Sequence, residues 1–253
     1  MNNPSMKTYL GIFLIAAFSA LIATPLLRRL CERFGLVDRA FDQRRIHQKA
    51  VPRLGGVAIF VSVILALASL AFIHNLLTQN LRPELKAIAS VLGCGLLVLL
   101  IGVYDDVRGA NASIKLVSLG LVAVLFYALG GRIEGLSIPS VGQVALPGLV
   151  GFGLTLLWIV GITNALNLLD NMDGLSGGVT TVAATFFLLL AAMGRPPQVL
   201  VGALAAALVG ACVGFLRYNL NPATIFMGDT GALFLGFLLA ALGIKLRFPS
   251  NVP

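Results

Sequence analysis

Residues 8–27 read TYLGIFLIAAFSALIATPLL, an apolar run that is followed at once by Arg28, Arg29 and, a turn later, Arg33. About 20 apolar residues are the length that an α-helix needs to cross the hydrocarbon core of a bilayer. The positive charges follow the run, and only Lys7 precedes it. This charge order is typical of a signal-anchor helix with its N-terminus outside the cell, not of a cleaved leader. The stretch therefore predicts the first span of a membrane protein.

The composition extends this prediction to the whole chain. Hydrophobic residues make up 58% of the 253 residues and charged residues only 11%, whereas a soluble domain carries about 25% charged residues. This excludes a soluble globule, a disordered chain and, despite the net charge of +8, a nucleic-acid binder. Seven further apolar runs lie at 54–73, 85–103, 114–130, 147–166, 175–193, 199–216 and 230–246. We predict an all-α polytopic membrane protein with about eight transmembrane helices.

The loops can be assigned to sides from their basic residues. Segment 28–53 carries eight Lys and Arg residues, and short loops rich in these residues stay in the cytoplasm. With eight spans, the loops near 104–113, 167–174 and 217–229 fall on the same side. Segment 131–146, with its glycines and alternating apolar residues, falls on the opposite side and predicts a small external β-hairpin.

Acidic residues are concentrated on the predicted cytoplasmic side, which holds eight of the ten. Because acidic residues contribute little to membrane orientation, this one-sidedness indicates a function on that side. Five of the eight lie in three short motifs, at Asp105, Asp106, Asp170, Asp173 and Asp229.

The first motif is the pair Asp105-Asp106 at the inner end of the third span, with Lys115 at the start of the fourth. Adjacent carboxylates at a membrane boundary repel each other and are costly to desolvate. A metal ion, a nearby cation or a shared proton would relieve that cost. The alternative is a solvated helix end with Arg108 as ion-pair partner.

The second motif, residues 164–175, reads NALNLLDNMDGL. If the helix continues through it, Asn164, Asn167 and Asn171 share one face, and Asp170 lies three residues before Asp173. Amides and carboxylates suit sugar hydroxyls, a uracil edge or a metal-bound phosphate. Simple helix capping would explain one of these polar residues but not five.

The third motif, residues 226–231, reads FMGDTG. Its glycines allow the backbone to approach a ligand closely, and Asp229 offers a hard oxygen to Mg²⁺. The alternative, which can coexist with the first interpretation, is that Asp229 or Thr230 caps the last helix.

A basic fourth motif, residues 44–56, reads RRIHQKAVPRLGG and leads into the second span. Its PRLGG ending indicates a turn that holds Lys49 and Arg53 towards phosphate. The alternative is a role in orientation and headgroup attraction alone. Carboxylates, amides and cations on one membrane face favour Mg²⁺-assisted phosphoryl transfer between a soluble nucleotide donor and a lipid acceptor.

The four motifs, in this order along residues 28–240, resemble those of the polyprenyl-phosphate N-acetylhexosamine-1-phosphate transferases, glycosyltransferase family 4. The chain looks most like the undecaprenyl-phosphate GlcNAc-1-phosphate transferases. The peptidoglycan branch, which uses a MurNAc-pentapeptide donor, is similar but usually has Pro-Thr-Met-Gly-Gly where this chain has residues 52–56, PRLGG.

The resemblance implies transfer of a sugar 1-phosphate from a UDP-N-acetylhexosamine to undecaprenyl phosphate, with Mg²⁺ or Mn²⁺ as cofactor and UMP as product. Asp105 and Asp106 would be the catalytic pair, one of which deprotonates or orients the lipid phosphate. Asn167 and Asp229 would serve the metal. Substrate contacts would come from Lys49, Arg53, Lys115, Asn164, Asp170, Asp173 and Asn219. Direct attack and an aspartyl-phosphate intermediate both remain open.

By the same resemblance we expect a multi-pass protein of the bacterial inner membrane, with a cytoplasmic catalytic face and a homodimer as its assembly. Family members usually continue to further spans and a His-rich loop, whereas this chain has only His47 and His74. We therefore expect one integral-membrane transferase domain over 1–253, without those C-terminal spans. The alternatives are a phospho-MurNAc-pentapeptide transferase-like enzyme, an ion-coupled transporter and an inactive truncated relative.

Overall fold

Apolar runs along the chain become helices in the computed structural model, which describes residues 4–38, 51–72, 79, 81–138, 142–194 and 197–247. Eight α-helices of 14 or more residues lie in these ranges: α1 Pro4–Phe34, α2 Gly55–Ala68, α3 Leu85–Arg108, α4 Ala112–Ala128, α5 Gly148–Leu169, α6 Leu175–Met193, α7 Val199–Asn219 and α8 Gly228–Lys245. A 3-10 helix, Ser69–Phe72, extends α2. The predicted all-α class is confirmed.

Seven helical segments in the described ranges are long and apolar enough to cross a membrane. The fourth predicted span is α4, an apolar helix of 17 residues. At 1.5 Å per residue this helix is about 25 Å long, near the lower limit for a span. The protein is thus a multi-span membrane protein, as its composition predicts.

Two pairs of short antiparallel strands join the helices. Strand β1, Val37–Asp38, pairs with β2, Val51–Pro52, just before α2. Strand β3, Gly135–Ile138, pairs with β4, Gly142–Ala145, between α4 and α5. The second pair confirms the hairpin predicted for segment 131–146, whereas the first was not predicted.

Some helices extend past the predicted apolar runs, so that acidic residues predicted to lie in loops lie within helices. An apolar run shows which residues can lie in lipid, but the helix itself can continue into water. Helix α3 therefore continues beyond the predicted boundary at 103 and carries Asp105 and Asp106 in its last turns. Helix α5 instead ends at Leu169. The prediction that Asn171 shares a helical face with Asn164 is therefore wrong, because Asn171 lies in the turn after the helix.

Helices α7 and α8 form the centre of the molecule. Of the most apolar 18-residue stretch in each helix, 83% of the residues are buried in α7 and 72% in α8, against 28% in α1, α5 and α6. Helix α7 packs against α1, α2 and α6, and α8 packs against α2, α3 and α5. Helix α7 is rich in Gly and Ala, which allow the close backbone approach on which helix association in lipid depends. The three acidic motifs meet at one end of this bundle, where α3, α5 and α7 end and α4, α6 and α8 begin.

Candidate active site

A cavity of about 470 Å³ opens at this polar end of the bundle. It is lined by Arg53, Asp106, Asp170, Asn171, Met172, Asp173, Asn219, Phe226, Met227, Gly228 and Asp229. The lining thus combines four carboxylates from three separate motifs with one arginine. The three acidic motifs, which the sequence predicts on one membrane face, all contribute residues to this cavity.

Asp229, in the first turn of α8, is held by side chains from two other helices. The Asn167 Nδ2 of α5 donates to Asp229 Oδ1 at 2.8 Å, and the Lys115 Nζ of α4 donates to Asp229 Oδ2. Lys115 also donates to Asp105 Oδ2 at 2.7 Å, and the Ala110 N–H donates to Asp105 Oδ1 at 2.6 Å. Lys115 therefore bridges two carboxylates that would otherwise repel each other.

Asp106 faces a different set of partners from Asp105. Its Oδ1 accepts the backbone N–H of Asp229 at 3.0 Å. Its Oδ2 accepts the N–H of Thr230 at 2.9 Å and the Thr230 hydroxyl at 2.6 Å. The two members of the aspartate pair thus separate: Asp105 pairs with Lys115, and Asp106 binds the start of α8.

The PRLGG motif is hydrogen-bonded to the third acidic motif through the backbone. The Phe226 N–H donates to the Pro52 carbonyl at 2.7 Å, and the Gly55 and Gly56 N–H groups donate to the carbonyls of Phe226 and Met227 at 3.0 and 3.1 Å. This contact explains the double glycine before α2. It leaves Arg53 at the wall of the cavity.

Two predicted substrate residues tie loops together. The Asp173 Oδ2 accepts the Asn221 Nδ2 at 3.2 Å and the Ala223 N–H at 3.0 Å. The buried Asn219 accepts the Gly174 N–H at 3.2 Å and donates to the Ile225 carbonyl at 3.0 Å. Both side chains join the α5–α6 turn to the α7–α8 loop, so they shape the cavity wall besides lining it.

Asp170 lies in the turn after α5 and accepts the Ser176 hydroxyl at 2.6 Å. Burial raises the pKa of its carboxyl to about 6 against the lowering effect of the Ser176 hydrogen bond, and the charges of Asp229, Asp106 and Asp173 raise it further. With four carboxylates and one guanidinium among the residues that line it, the cavity also holds more negative than positive charge.

Asp170→Asn is expected to stabilise the metal-free protein at pH 7.5 by roughly 1–3 kcal/mol. The raised pKa means that ionised Asp170 destabilises the folded state above about pH 6. The stabilisation should therefore disappear as pH falls below about 4, where the carboxyl is neutral in both states. Melting temperatures of wild type and variant in Mg²⁺-free detergent at both pH values measure this. A variant that melts lower than wild type at pH 7.5 would contradict the expectation.

Among the described residues, the predicted substrate residue Asn164 lies outside the cavity lining, and Lys115 lines a separate groove. The Asn164 Nδ2 donates to the Val160 carbonyl of its own helix at 2.8 Å. Lys49 lies outside the described residues. The roles assigned to Asn164 and Lys49 remain predictions.

The donor set of the cavity fits a hard divalent cation. Mg²⁺ is commonly bound by one or two carboxylates together with substrate phosphates and water, without a complete protein cage. Among the described residues, no three His, Cys, Asp or Glu side chains form such a cage. Asp229 and Asp170, both in a cavity with excess negative charge, are the residues that would hold it, with Asn167 beside Asp229.

Several contributors were not expected from sequence. Ser176 supports Asp170, and the backbone of Gly55 and Gly56 supports Phe226 and Met227. The sequence signal for the two glycines is their place in the PRLGG motif, and Ser176 carries no comparable signal.

Comparison with known proteins extends this picture. The sequence profile of glycosyl transferase family 4 matches residues 88–247. The chain is 34% identical over 245 residues to a probable undecaprenyl-phosphate N-acetylglucosaminyl 1-phosphate transferase of Bacillus subtilis, covering 96% of this chain and 64% of that protein. It is 33% identical over 251 residues to the decaprenyl-phosphate N-acetylglucosaminephosphotransferase of Mycobacterium tuberculosis, covering 93% and 60%.

A second group of relatives has a different name. The phospho-N-acetylmuramoyl-pentapeptide-transferase of Bacillus subtilis is 34% identical over 254 residues, covering 95% of this chain and 74% of that protein. The chain thus spans between three fifths and three quarters of the length of these three relatives.

Proposed function

The chain belongs to glycosyl transferase family 4, and on that premise we propose that it transfers N-acetylglucosamine 1-phosphate from UDP-GlcNAc to undecaprenyl phosphate, with release of UMP. The observation that carries the proposal is the meeting of four carboxylates in one cavity, beside a lysine that bridges Asp105 and Asp229. This combination suits two phosphate-bearing substrates and a divalent cation.

The donor belongs in the 470 Å³ cavity. Its pyrophosphate would face Arg53, while Phe226 and Met172 offer an apolar wall against which a uracil ring can pack. Asp173 and Asn219 keep that wall assembled through their hydrogen bonds between loops. Mg²⁺, when bound at Asp229 and Asp170, would neutralise the charge of the phosphates.

The acceptor belongs on the other side of Lys115. A groove of about 460 Å³ runs between α3 and α4 and is lined by Leu97, Leu100, Ile101, Tyr104, Ala110, Ile114, Lys115, Ser118 and Val122. All but Lys115, Ser118 and the hydroxyl of Tyr104 are apolar. An isoprenoid chain in this groove would bring its phosphate to Lys115 and Asp105, which are in contact with Asp229 through the lysine.

The proposed step is a displacement at phosphorus. An oxygen of the lipid phosphate attacks the phosphorus that carries the sugar, a new P–O–P bond forms, and the bond to UMP breaks with its electron pair on UMP. The lipid phosphate attacks as its dianion, oriented by Lys115, which Asp105 holds in place. Lys115 and Arg53 offset the negative charge that the two substrates bring together.

The site is proposed to face the cytoplasm of a bacterium, because the described flanks of the basic segment 28–53, Val37–Asp38 and Val51–Pro52, pair with each other and Pro52 bonds to Phe226 at the site. A short loop with eight Lys and Arg residues is expected to stay in the cytoplasm. In this proposal the site receives its UDP-sugar from the cytoplasm and its lipid acceptor from the inner leaflet. We also propose a homodimer, and this proposal rests on the resemblance to the family alone.

Transfer in a defined system tests the function. Purified protein in liposomes with undecaprenyl phosphate and Mg²⁺ should convert radiolabelled UDP-GlcNAc to a lipid-soluble product and release equimolar UMP. Because one relative is a phospho-N-acetylmuramoyl-pentapeptide-transferase, UDP-MurNAc-pentapeptide is the competing donor. Transfer from it alone would identify the second function, and transfer from neither would overturn the proposal.

Ser118→Trp is expected to raise the KM for undecaprenyl phosphate by about 10-fold without changing the KM for UDP-GlcNAc. The indole would fill the groove between α3 and α4, which Ser118 lines. Leu116→Trp is the matched control, because Leu116 is 54% exposed and does not line the groove. Equal KM values for the lipid in both variants would show that the acceptor does not bind in this groove.

A further inference from the structure

Helix α8 lacks a cap of its own. The residue at its N-cap position is Met227, whose side chain makes no capping hydrogen bond. The first N–H groups of any α-helix have no partner inside the helix, and leaving them unsatisfied is costly in a buried setting. Thr230, in this first turn, is completely buried.

Asp106 supplies the missing cap from another helix. Its carboxylate accepts the N–H groups of Asp229 and Thr230 and the Thr230 hydroxyl, at 2.6–3.0 Å. A carboxylate at a helix N-terminus is also favoured by the helix dipole. All three donors belong to α8, although Asp106 is more than 120 residues away in sequence.

Close contact between α3 and α8 fixes the register of this cap. One turn before Asp106, Gly102 lies against α8, where a Cβ atom would stand 2.5 Å from the Thr230 Cα and 2.6 Å from the Asp229 carbonyl oxygen. Gly228 has φ +69°, and a Cβ there would meet the Asp106 carboxylate and the Arg53 carbonyl. The first turn of α8 therefore has no room to slide or rotate.

We propose that Asp106 is a positioning residue, which acts by holding the first turn of α8 so that the Asp229 carboxylate stays directed at Asn167, Lys115 and the metal. In this assignment, which rests on the proposed function, Asp106 lines the cavity with its carboxylate occupied by α8, and Asp105 is the member of the aspartate pair that acts through Lys115. The N–H groups of Asp229 and Thr230 are occupied by Asp106 and are not available to substrate phosphate, so phosphate binding falls to Lys115, Arg53 and the cation.

If Asp106 positions α8, the Thr230 hydroxyl that donates to it should contribute to the same positioning. Substitutions at Thr230 therefore test the assignment. Binding of Mn²⁺ to purified protein, followed by electron paramagnetic resonance, reports on Asp229 without requiring turnover. Thr230→Val removes one donor to Asp106 at nearly constant volume, and Thr230→Ser restores it. We expect Thr230→Val to weaken Mn²⁺ binding by about 10-fold and Thr230→Ser to bind within about twofold of wild type.

Asp106→Asn completes a double-mutant cycle. If Asp106 acts through Thr230, the double variant Asp106→Asn/Thr230→Val should bind Mn²⁺ within about twofold of Asp106→Asn alone. Wild-type Mn²⁺ binding in Thr230→Val, or multiplied losses in the double variant, would overturn the assignment and make Asp106 a direct ligand or catalytic base. If Asp106→Asn does not fold, the comparison of Thr230→Val with Thr230→Ser decides alone.

The outcome is separable from that of the proposed function, because lipid transfer is assayed independently. The predicted Mn²⁺ pattern without transfer from any donor would refute the function while leaving the positioning of Asp229 in place. Transfer with unchanged Mn²⁺ binding in Thr230→Val would refute the positioning alone.

Discussion

Asp229→Asn is expected to lower the rate of sugar-phosphate transfer by more than about 100-fold. Asp229 is the residue on which the separate parts of the site converge: it accepts from Asn167 and Lys115, and its backbone N–H binds Asp106. Asparagine keeps the volume but loses the charge, so it loses the ion pair with Lys115 and a strong ligand for Mg²⁺. Initial rates of transfer to undecaprenyl phosphate, at saturating and limiting Mg²⁺, measure the loss.

The matched control is Glu134→Gln, which makes the same chemical change beside the β3–β4 hairpin, away from the acidic motifs. It should keep transfer within about twofold of wild type. A rate for Asp229→Asn equal to that of Glu134→Gln would show that the cavity is not the centre of the reaction.

Lys115→Met is expected to have the second largest effect, again a loss of more than about 100-fold in transfer. The lysine ammonium bridges Asp105 and Asp229, and only 14% of the Lys115 and Asp105 side chains is exposed. Methionine keeps the apolar stem but leaves the two carboxylates to repel each other, so the melting temperature should also fall. It also removes the cation that the proposal assigns to the acceptor phosphate.

Lys86→Met provides the comparison, because Lys86 is an exposed lysine at the other end of α3. Its transfer rate and melting temperature should match those of wild type. Added Mg²⁺ should recover part of the stability of Lys115→Met, since a divalent cation can separate the same carboxylates, but should not recover transfer. Full transfer by Lys115→Met would exclude a role for the lysine in holding the acceptor.

The sequence was sufficient to predict the helices and the end of the bundle at which the site lies. Apolar runs predict spans directly, because lipid tolerates few polar side chains. Since successive spans alternate in direction, motifs after the third and fifth spans and before the eighth must reach the same side. The placement of Asp105, Asp170 and Asp229 at the same end of the bundle follows from this alternation.

The contacts within the site could not be predicted in the same way. The pairing of residues 52–56 with Phe226 and Met227, and the capping of α8 by Asp106, join segments more than 100 residues apart. Such contacts depend on how the helices pack, which no local pattern encodes. For the same reason the sequence could not show that Asn219 is occupied between two loops, or that Asn164 bonds back to its own helix.

Family membership removes some alternatives and sharpens others. A chain of glycosyl transferase family 4 is no longer well described as an ion-coupled transporter. The acidic residues that line its cavity lie at helix ends or in turns, whereas transporters bind ions near the membrane midplane. The choice between a GlcNAc and a MurNAc-pentapeptide donor remains for the transfer assay, because relatives with both names are similarly identical to this chain.

Exchange of labelled UMP into UDP-GlcNAc tests the central claim most directly. Liposomes containing the protein should catalyse this exchange only when both Mg²⁺ and undecaprenyl phosphate are present, and liposomes with Asp229→Asn should not. Exchange without the lipid would indicate a phosphorylated enzyme intermediate in place of direct attack. Full exchange by Asp229→Asn, or no exchange by the wild type in the complete mixture, would contradict the account.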